Sequence, residues 1–227
     1  MYRLMNFLAP GICYLCEDFC SDQSIFCANC STDLPRACEF SGSCEEQNST
    51  GIQSANGRIA QAAIDQTITT HTFKFPVNEL IHQLKYNQKL LIAKQLGLDL
   101  ASVISKVGAP LPDCLIPVPL YRLRFLTRGF NQALEIANVV GRELSLPVDA
   151  GLVARRRNTL AQYALNPAQR AANLRRAFRL NSMPEYDFVA IIDDVITTGS
   201  TVKEMARVLK KAGVKRVAAW ACARAEP

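Results

Sequence analysis

Two adjacent carboxylates followed by a hydroxyl-rich loop carry the clearest chemical pattern in the chain. The stretch reads Phe188-Val189-Ala190-Ile191-Ile192-Asp193-Asp194-Val195-Ile196-Thr197-Thr198-Gly199-Ser200-Thr201. Its first five residues are apolar and suit a buried strand. The strand ends in two acids. The loop Thr197 to Thr201 then enters a helix marked by Val202, Met205, Ala206 and Leu209. Ligands of open α/β sheets sit beyond the carboxyl ends of strands. A helix N-terminus at that place offers unpaired N–H groups and a partial positive charge, so it favours an anion. Gly199 lets the backbone approach closely, and the hydroxyls add donors. Such a loop cradles a phosphomonoester. Asp193 and Asp194 are placed to accept hydrogen bonds from vicinal ribose hydroxyls, directly or through magnesium. The Gly-x4-Gly-Lys pattern of a Walker loop is absent. An ordinary capped turn would leave the twin acids unexplained.

A second constellation is made of sulfur. Seven of the nine cysteines fall within residues 13–44. Cys13-x2-Cys16 and Cys27-x2-Cys30 form two knuckles whose four thiolates complete a tetrahedron, which suits zinc. Four closed ligands leave no open position, so the metal would be structural and would supply folding energy to a segment poor in apolar residues. A redox pair, an iron–sulfur site or a metal-free knuckle are the competing readings. Cys20, Cys38 and Cys44 have no evident partner. Cys114 and Cys222 sit in apolar strands and read as small core residues.

Charge gives a third signal. The chain of 227 residues carries a formal charge of +6. Residues 117–180 hold 11 Arg, no Lys and only Glu135, Glu143 and Asp149 as acids. Arg matches phosphate oxygens two at a time, whereas Lys is a point charge. The block therefore suits phosphate or nucleic acid, against a plain solvated basic face. Within it lie Arg122, Arg124, Arg128 and Arg170, with Gln162 nearby.

Several elements must position these groups. The spacing of Val77, Leu80, Ile81 and Leu84 predicts a helix, and residues 90–104 predict another. Asp113 to Val118 reads as a buried strand, and residues 147–154 as a weaker one. Ala133, Ile136, Ala137, Val140 and Leu144 mark a helix. Val214 to Cys222 is the final strand. This alternation implies an α/β fold with a parallel sheet covered on both faces. Residues 39–57 are polar, without an apolar period, and read as a linker. The predicted organisation is a four-cysteine zinc-binding segment with linker over 1–57 and a main domain over 58–227. With 49% hydrophobic residues the chain is not globally disordered. No apolar run is long enough to span a membrane. Met1 to Pro10 is too short and interrupted for a secretion signal, so cytoplasmic residence is expected.

The stretch Val189–Thr201 resembles the phosphoribosyl-pyrophosphate (PRPP) signature of type I phosphoribosyltransferases. Other segments narrow the resemblance to the ComF family (competence protein F, ComFC/GntX-like). They are the Cys knuckles, Leu80-Ile81-His82-Gln83-Leu84-Lys85-Tyr86, and Ile116-Pro117-Val118-Pro119-Leu120. Arg122-x-Arg124-x3-Arg128-Gly129-Phe130-Asn131-Gln132-Ala133 follows, then Thr159-x2-Gln162 and Arg170-x2-Asn173. The resemblance implies a type I phosphoribosyltransferase-like sheet flanked by helices, with a small N-terminal zinc knuckle. It implies that Asp193 and Asp194 hold ribose hydroxyls while Val195 and Thr197, Thr198, Gly199, Ser200 and Thr201 surround the 5′-phosphate. Magnesium would arrive with PRPP. Lys85, Arg122, Arg124, Arg128, Gln162 and Arg170 are the candidates for pyrophosphate, phosphate or DNA. Residues 155–170 take the place of a loop that closes over such sites.

The function this implies is binding of PRPP or a nucleotide 5′-phosphate in DNA uptake and natural transformation, with contact to single-stranded DNA. DNA-uptake proteins are the expected protein partners, without membrane insertion. One alternative is an active transferase displacing pyrophosphate from PRPP. Another is a non-catalytic zinc-bearing adaptor. No residue identifies a general base or the acceptor; His82 and His71 read more simply as structural.

Overall fold

The computed structural model describes residues 11–20, 24–42, 63–156 and 177–226. A five-stranded sheet organises it, in the spatial order β3-β4-β9-β8-β5. These strands are β3 (Arg36–Gly42), β4 (Gln66–Thr72), β5 (Cys114–Pro117), β8 (Phe188–Ile196) and β9 (Arg216–Arg224). β4, β9, β8 and β5 run parallel, while β3 pairs antiparallel with β4 at one edge.

The strands at the centre are apolar on both faces because helices cover both. Successive side chains of a strand point to opposite faces. Thus Ala190 and Ile192 of β8 join one core with Ala218 and Trp220 of β9. Val189 and Ile191 join a second core with Val217 and Ala219. The first core is closed by α2 (Val77–Asn87), α3 (Leu90–Val107) and α5 (Gln132–Leu144). Val77, Leu80, Ile81 and Leu84 of α2 are fully buried, in keeping with their helical spacing. Full burial of each such side chain contributes roughly 1.5–3 kcal/mol. The second core is closed by α6 (Ser200–Lys211), through Val202, Met205, Ala206 and Leu209, and by a hairpin of β6 (Val153–Arg155) and β7 (Phe178–Leu180).

A short helix, α4 (Arg122–Arg128), lies between β5 and α5 and ends at Gly129 in the left-handed region (φ 81°). At the N-terminus, β1 (Gly11–Ile12) and β2 (Phe19–Cys20) form a small hairpin followed by α1 (Ala28–Asp33). Phe26 and Leu34 from this segment belong to the same core as Leu96 and Leu100 of α3. Gln95 Oε1 of α3 accepts hydrogen bonds from Ser24 Oγ and Ile25 N.

Three expectations change. The sheet is mixed, because β3 is antiparallel. Residues 39–42, read as the start of a linker, extend β3. The expected strand at 147–154 is a single bridge from Val148 to Leu115, and β6 starts only at Val153. Asp149 turns the chain there, its Oδ1 accepting from Gly151 N and Leu152 N. Among the described residues, no helix is long and apolar enough to cross a membrane.

Candidate functional site

The acids and the hydroxyl loop meet where β8 gives way to α6. Gly199 sits at the N-cap of α6 with φ 71°, a conformation only glycine adopts freely. The first turn of α6 contains no acidic side chain, so nothing of its own opposes an anion at these amides. A cavity of about 630 Å³ opens over this turn. Asp193, Asp194, Val195, Thr197, Gly199, Ser200 and Thr201 all line it. Thr198 does not; its hydroxyl bonds Ser200 Oγ at 2.8 Å on the exposed side of the loop.

The two acids are held differently. Asp194 is 7% exposed, and its Oδ2 lies 2.7 Å from Lys85 Nζ. Its Oδ1 accepts from Val195 N, while Asp193 Oδ1 accepts from Asp194 N. Burial, then the charge of Asp194, pushes the Asp193 carboxyl up to about 8, against a smaller opposing pull from Lys85. Lys85 therefore sits at the acid end of the cavity.

Basic side chains share the wall of this cavity. Arg124 and Arg128 of α4 line the cavity, and so does Arg155 of β6. Burial, and then the nearby charge of Arg124, lowers the Arg155 guanidinium. These cations favour an anionic ligand part within reach of the twin acids. Arg122 begins α4. Gln162 and Arg170 lie outside the described residues, as do Thr159 and Asn173.

The run Gly129-Phe130-Asn131-Gln132 positions this wall. Asn131 caps α5, its Oδ1 accepting from Ala133 N, and its Nδ2 donates to Val118 O at the end of the β5 loop. Gln132 lines the cavity, is 4% exposed, and its Oε1 has no partner among the described residues. A buried acceptor left in that state costs about 1–3 kcal/mol, which a bound donor removes.

Away from the cavity, the Sγ atoms of Cys13, Cys16, Cys27 and Cys30 all lie within 4.8 Å of one another. Cys16 Sγ and Cys27 Sγ are 3.6 Å apart, and Cys27 Sγ accepts from Cys30 N. Burial acts to raise the Cys13 thiol, yet backbone hydrogen bonds from Cys27, Cys16 and Leu15 bring it down to about 6. Cys30 is held well above the usual range, first by its contact with the Cys16 thiol. One thiolate thus suppresses its neighbours, and a cation at the centre would relieve that conflict. The set fits a structural metal. Cys20 is buried beside the cluster and outside the four. Cys114 and Cys222 are fully buried. Cys44 lies outside the described residues.

Comparison with known proteins decides the family. A phosphoribosyl transferase domain matches residues 131–226. Competence protein F of Haemophilus influenzae is 32% identical over 208 residues, covering 88% of this chain and 85% of that protein. The chain belongs to the competence protein F family. The DNA utilization protein YhgH of Shigella flexneri is 31% identical over 218 residues, covering 94% of this chain and 90% of that protein. Competence protein ComFC of Bacillus subtilis is 28% identical over 148 residues, 65% of this chain and 59% of that protein.

The matched domain holds Asn131, Gln132, Arg155 and the whole β8–α6 turn of this competence protein F relative. It leaves out Lys85, Arg124 and Arg128, which the fold brings to the same cavity. Gln132 and Tyr86 line the cavity without having been assigned a role from the sequence. Arg155, expected at the start of the closing loop 155–170, instead ends β6 and lines the cavity from there. Tyr86 was quoted in a motif without a role. His71 is buried against Asp99 at 3.3 Å, and His82 is exposed on α2.

Proposed function

We propose that this chain binds PRPP or a nucleotide 5′-phosphate at the β8–α6 turn and serves in DNA uptake and use within the cytoplasm. The observation that carries the reading is the shared cavity. Twin acids, the N-terminal turn of α6, and Arg124, Arg128 and Arg155 all line it. The 5′-phosphate sits at the amides of Gly199, Ser200 and Thr201, and the ribose hydroxyls donate to Asp193 and Asp194. Arg124 and Arg128 face the pyrophosphate or the next phosphate of a strand. The relatives' names, competence protein and DNA utilization protein, support the biological setting.

Asp193 and Asp194 are the groups that would hold magnesium brought with PRPP; bound there, it would neutralise pyrophosphate charge. Displacement of pyrophosphate from such a ligand would rest mainly on positioning and charge stabilisation by the basic wall. Zinc at Cys13, Cys16, Cys27 and Cys30 completes the N-terminal segment over 1–57, with the phosphoribosyltransferase-like domain over 58–227. The Arg block gives single-stranded DNA a sequence-independent grip on phosphate.

Titration calorimetry with ribose 5-phosphate, and with PRPP plus magnesium, tests the site. Heat of binding that Asp193→Asn together with Asp194→Asn abolishes is expected. Absence of heat at millimolar ligand in the wild type overturns the reading. A single-strand binding titration at two salt concentrations tests the DNA contact, and affinity that ignores salt overturns it.

A further inference from the structure

One aromatic residue of the cavity lining has no role in the phosphate and sugar assignments. Tyr86, in the last turn of α2, lines the cavity next to Lys85. The residue is 57% exposed, whereas the apolar face of α2 is fully buried. Core packing therefore does not account for it. The ring is backed from the preceding turn by His82, with ring centroids 4.5 Å apart. Arg128 of α4 places its guanidinium carbon over the ring at 5.5 Å from the centroid. A flat cation thus already rests on a fixed, solvent-facing aromatic surface.

We propose that Tyr86 is the stacking face for a nucleobase, so that this site takes a complete nucleotide rather than a bare sugar phosphate. The inference rests on the phosphate and ribose assignments above and deepens them. Three features carry it. Lys85 ties the same turn of α2 to Asp194, and Tyr86 lines the same cavity as both acids. The cavity of about 630 Å³ lies in the range of roughly 300–1,000 Å³ typical of whole small-ligand sites. Planar bases stack on aromatic rings and guanidinium planes alike, so a base joins or replaces Arg128 over Tyr86. Arg128 then remains within reach of an adjoining phosphate. A free ribonucleotide and the 5′-phosphorylated end of a single strand share the phosphate and the base, and only the ribonucleotide brings vicinal hydroxyls to Asp193 and Asp194.

Calorimetry on the metal-loaded full chain compares ribose 5-phosphate with AMP, which adds only the base. AMP binding at least about fivefold tighter is expected from one stacked base. Tyr86→Ala brings the ratio of the two affinities toward one, while Tyr86→Phe keeps it. Equal affinity of the wild type for the two ligands overturns the inference while leaving the phosphate site standing. Failure of both ligands to bind overturns the phosphate site and this inference together. An oligothymidine with and without its 5′-phosphate separates the sources. Tighter binding of the phosphorylated form identifies a strand end as the occupant, and no gain identifies the free nucleotide.

Discussion

Lys85 Nζ lies 2.7 Å from Asp194 Oδ2 and joins the last turn of α2 to the end of β8. The lysine side chain is 25% exposed and the aspartate 10%. Removing the cation leaves two neighbouring acids in a poorly solvated place. Lys85→Met is expected to destabilise the ligand-free protein by about 2 kcal/mol, below the ~3–5 kcal/mol of a fully buried pair. Adding Asp194→Asn should recover most of that loss. Urea denaturation of the two variants checks both statements; an undisturbed midpoint in Lys85→Met would contradict the pairing.

Stability should also depend on pH through Asp193. Its carboxyl is raised from 3.8 to about 8, first by burial and then by Asp194. Between those values the folded chain holds a proton that the unfolded chain has released. Stability from this group is therefore greatest at low pH and declines as pH rises through about 8. Denaturation midpoints at several pH values, without magnesium, should fall along this window. Asp193→Asn should flatten the decline.

Metal content separates the ligand set from its neighbour. The full chain should carry one tightly held ion, measured by elemental analysis as zinc. Cys16→Ser should lose most of it, because three thiolates hold a tetrahedral ion less firmly. Cys20→Ala should keep it, since Cys20 is buried beside the four and not among them. Loss of metal in Cys20→Ala would redraw the set.

The packing of α3 on α5 gives a test remote from the site. A Cβ on Gly97 would meet Val139 Cβ at 2.8 Å and Cγ1 at 2.9 Å. Both helices would have to separate slightly. Gly97→Ala should destabilise by about 1–3 kcal/mol, despite the better helix propensity of alanine. Thermal melting reads the sign directly.

The sequence showed most plainly what local chemistry writes into neighbouring residues. The β8–α6 turn is contiguous, so its strand, acids, glycine and helix could be read in a row. The four cysteines were legible by spacing alone. β4 was missed because its sequence, Gln66-Thr67-Ile68-Thr69-Thr70-His71-Thr72, carries polar atoms into the interior, where Thr69, Thr70 and His71 are fully buried. Hydropathy gives no warning of such a strand, although threonine's branched side chain suits one. β3 was hidden because its second half, from residue 39, begins a polar run that reads as a linker. Arg155 and Tyr86 reach the cavity from separate elements, and no periodicity encodes which distant walls will meet.

β3 has one more effect on the molecule. It covers the outer side of β4 from Arg36 to Gly42, and its chain begins just after the cysteine cluster, with Phe26 and Leu34 anchored against α3. An uncovered strand margin is a template for other chains to add to. The sulfur-held segment thus works as a selvage for the sheet: strip it away, and the raw border of β4 becomes an invitation to fibrous self-association.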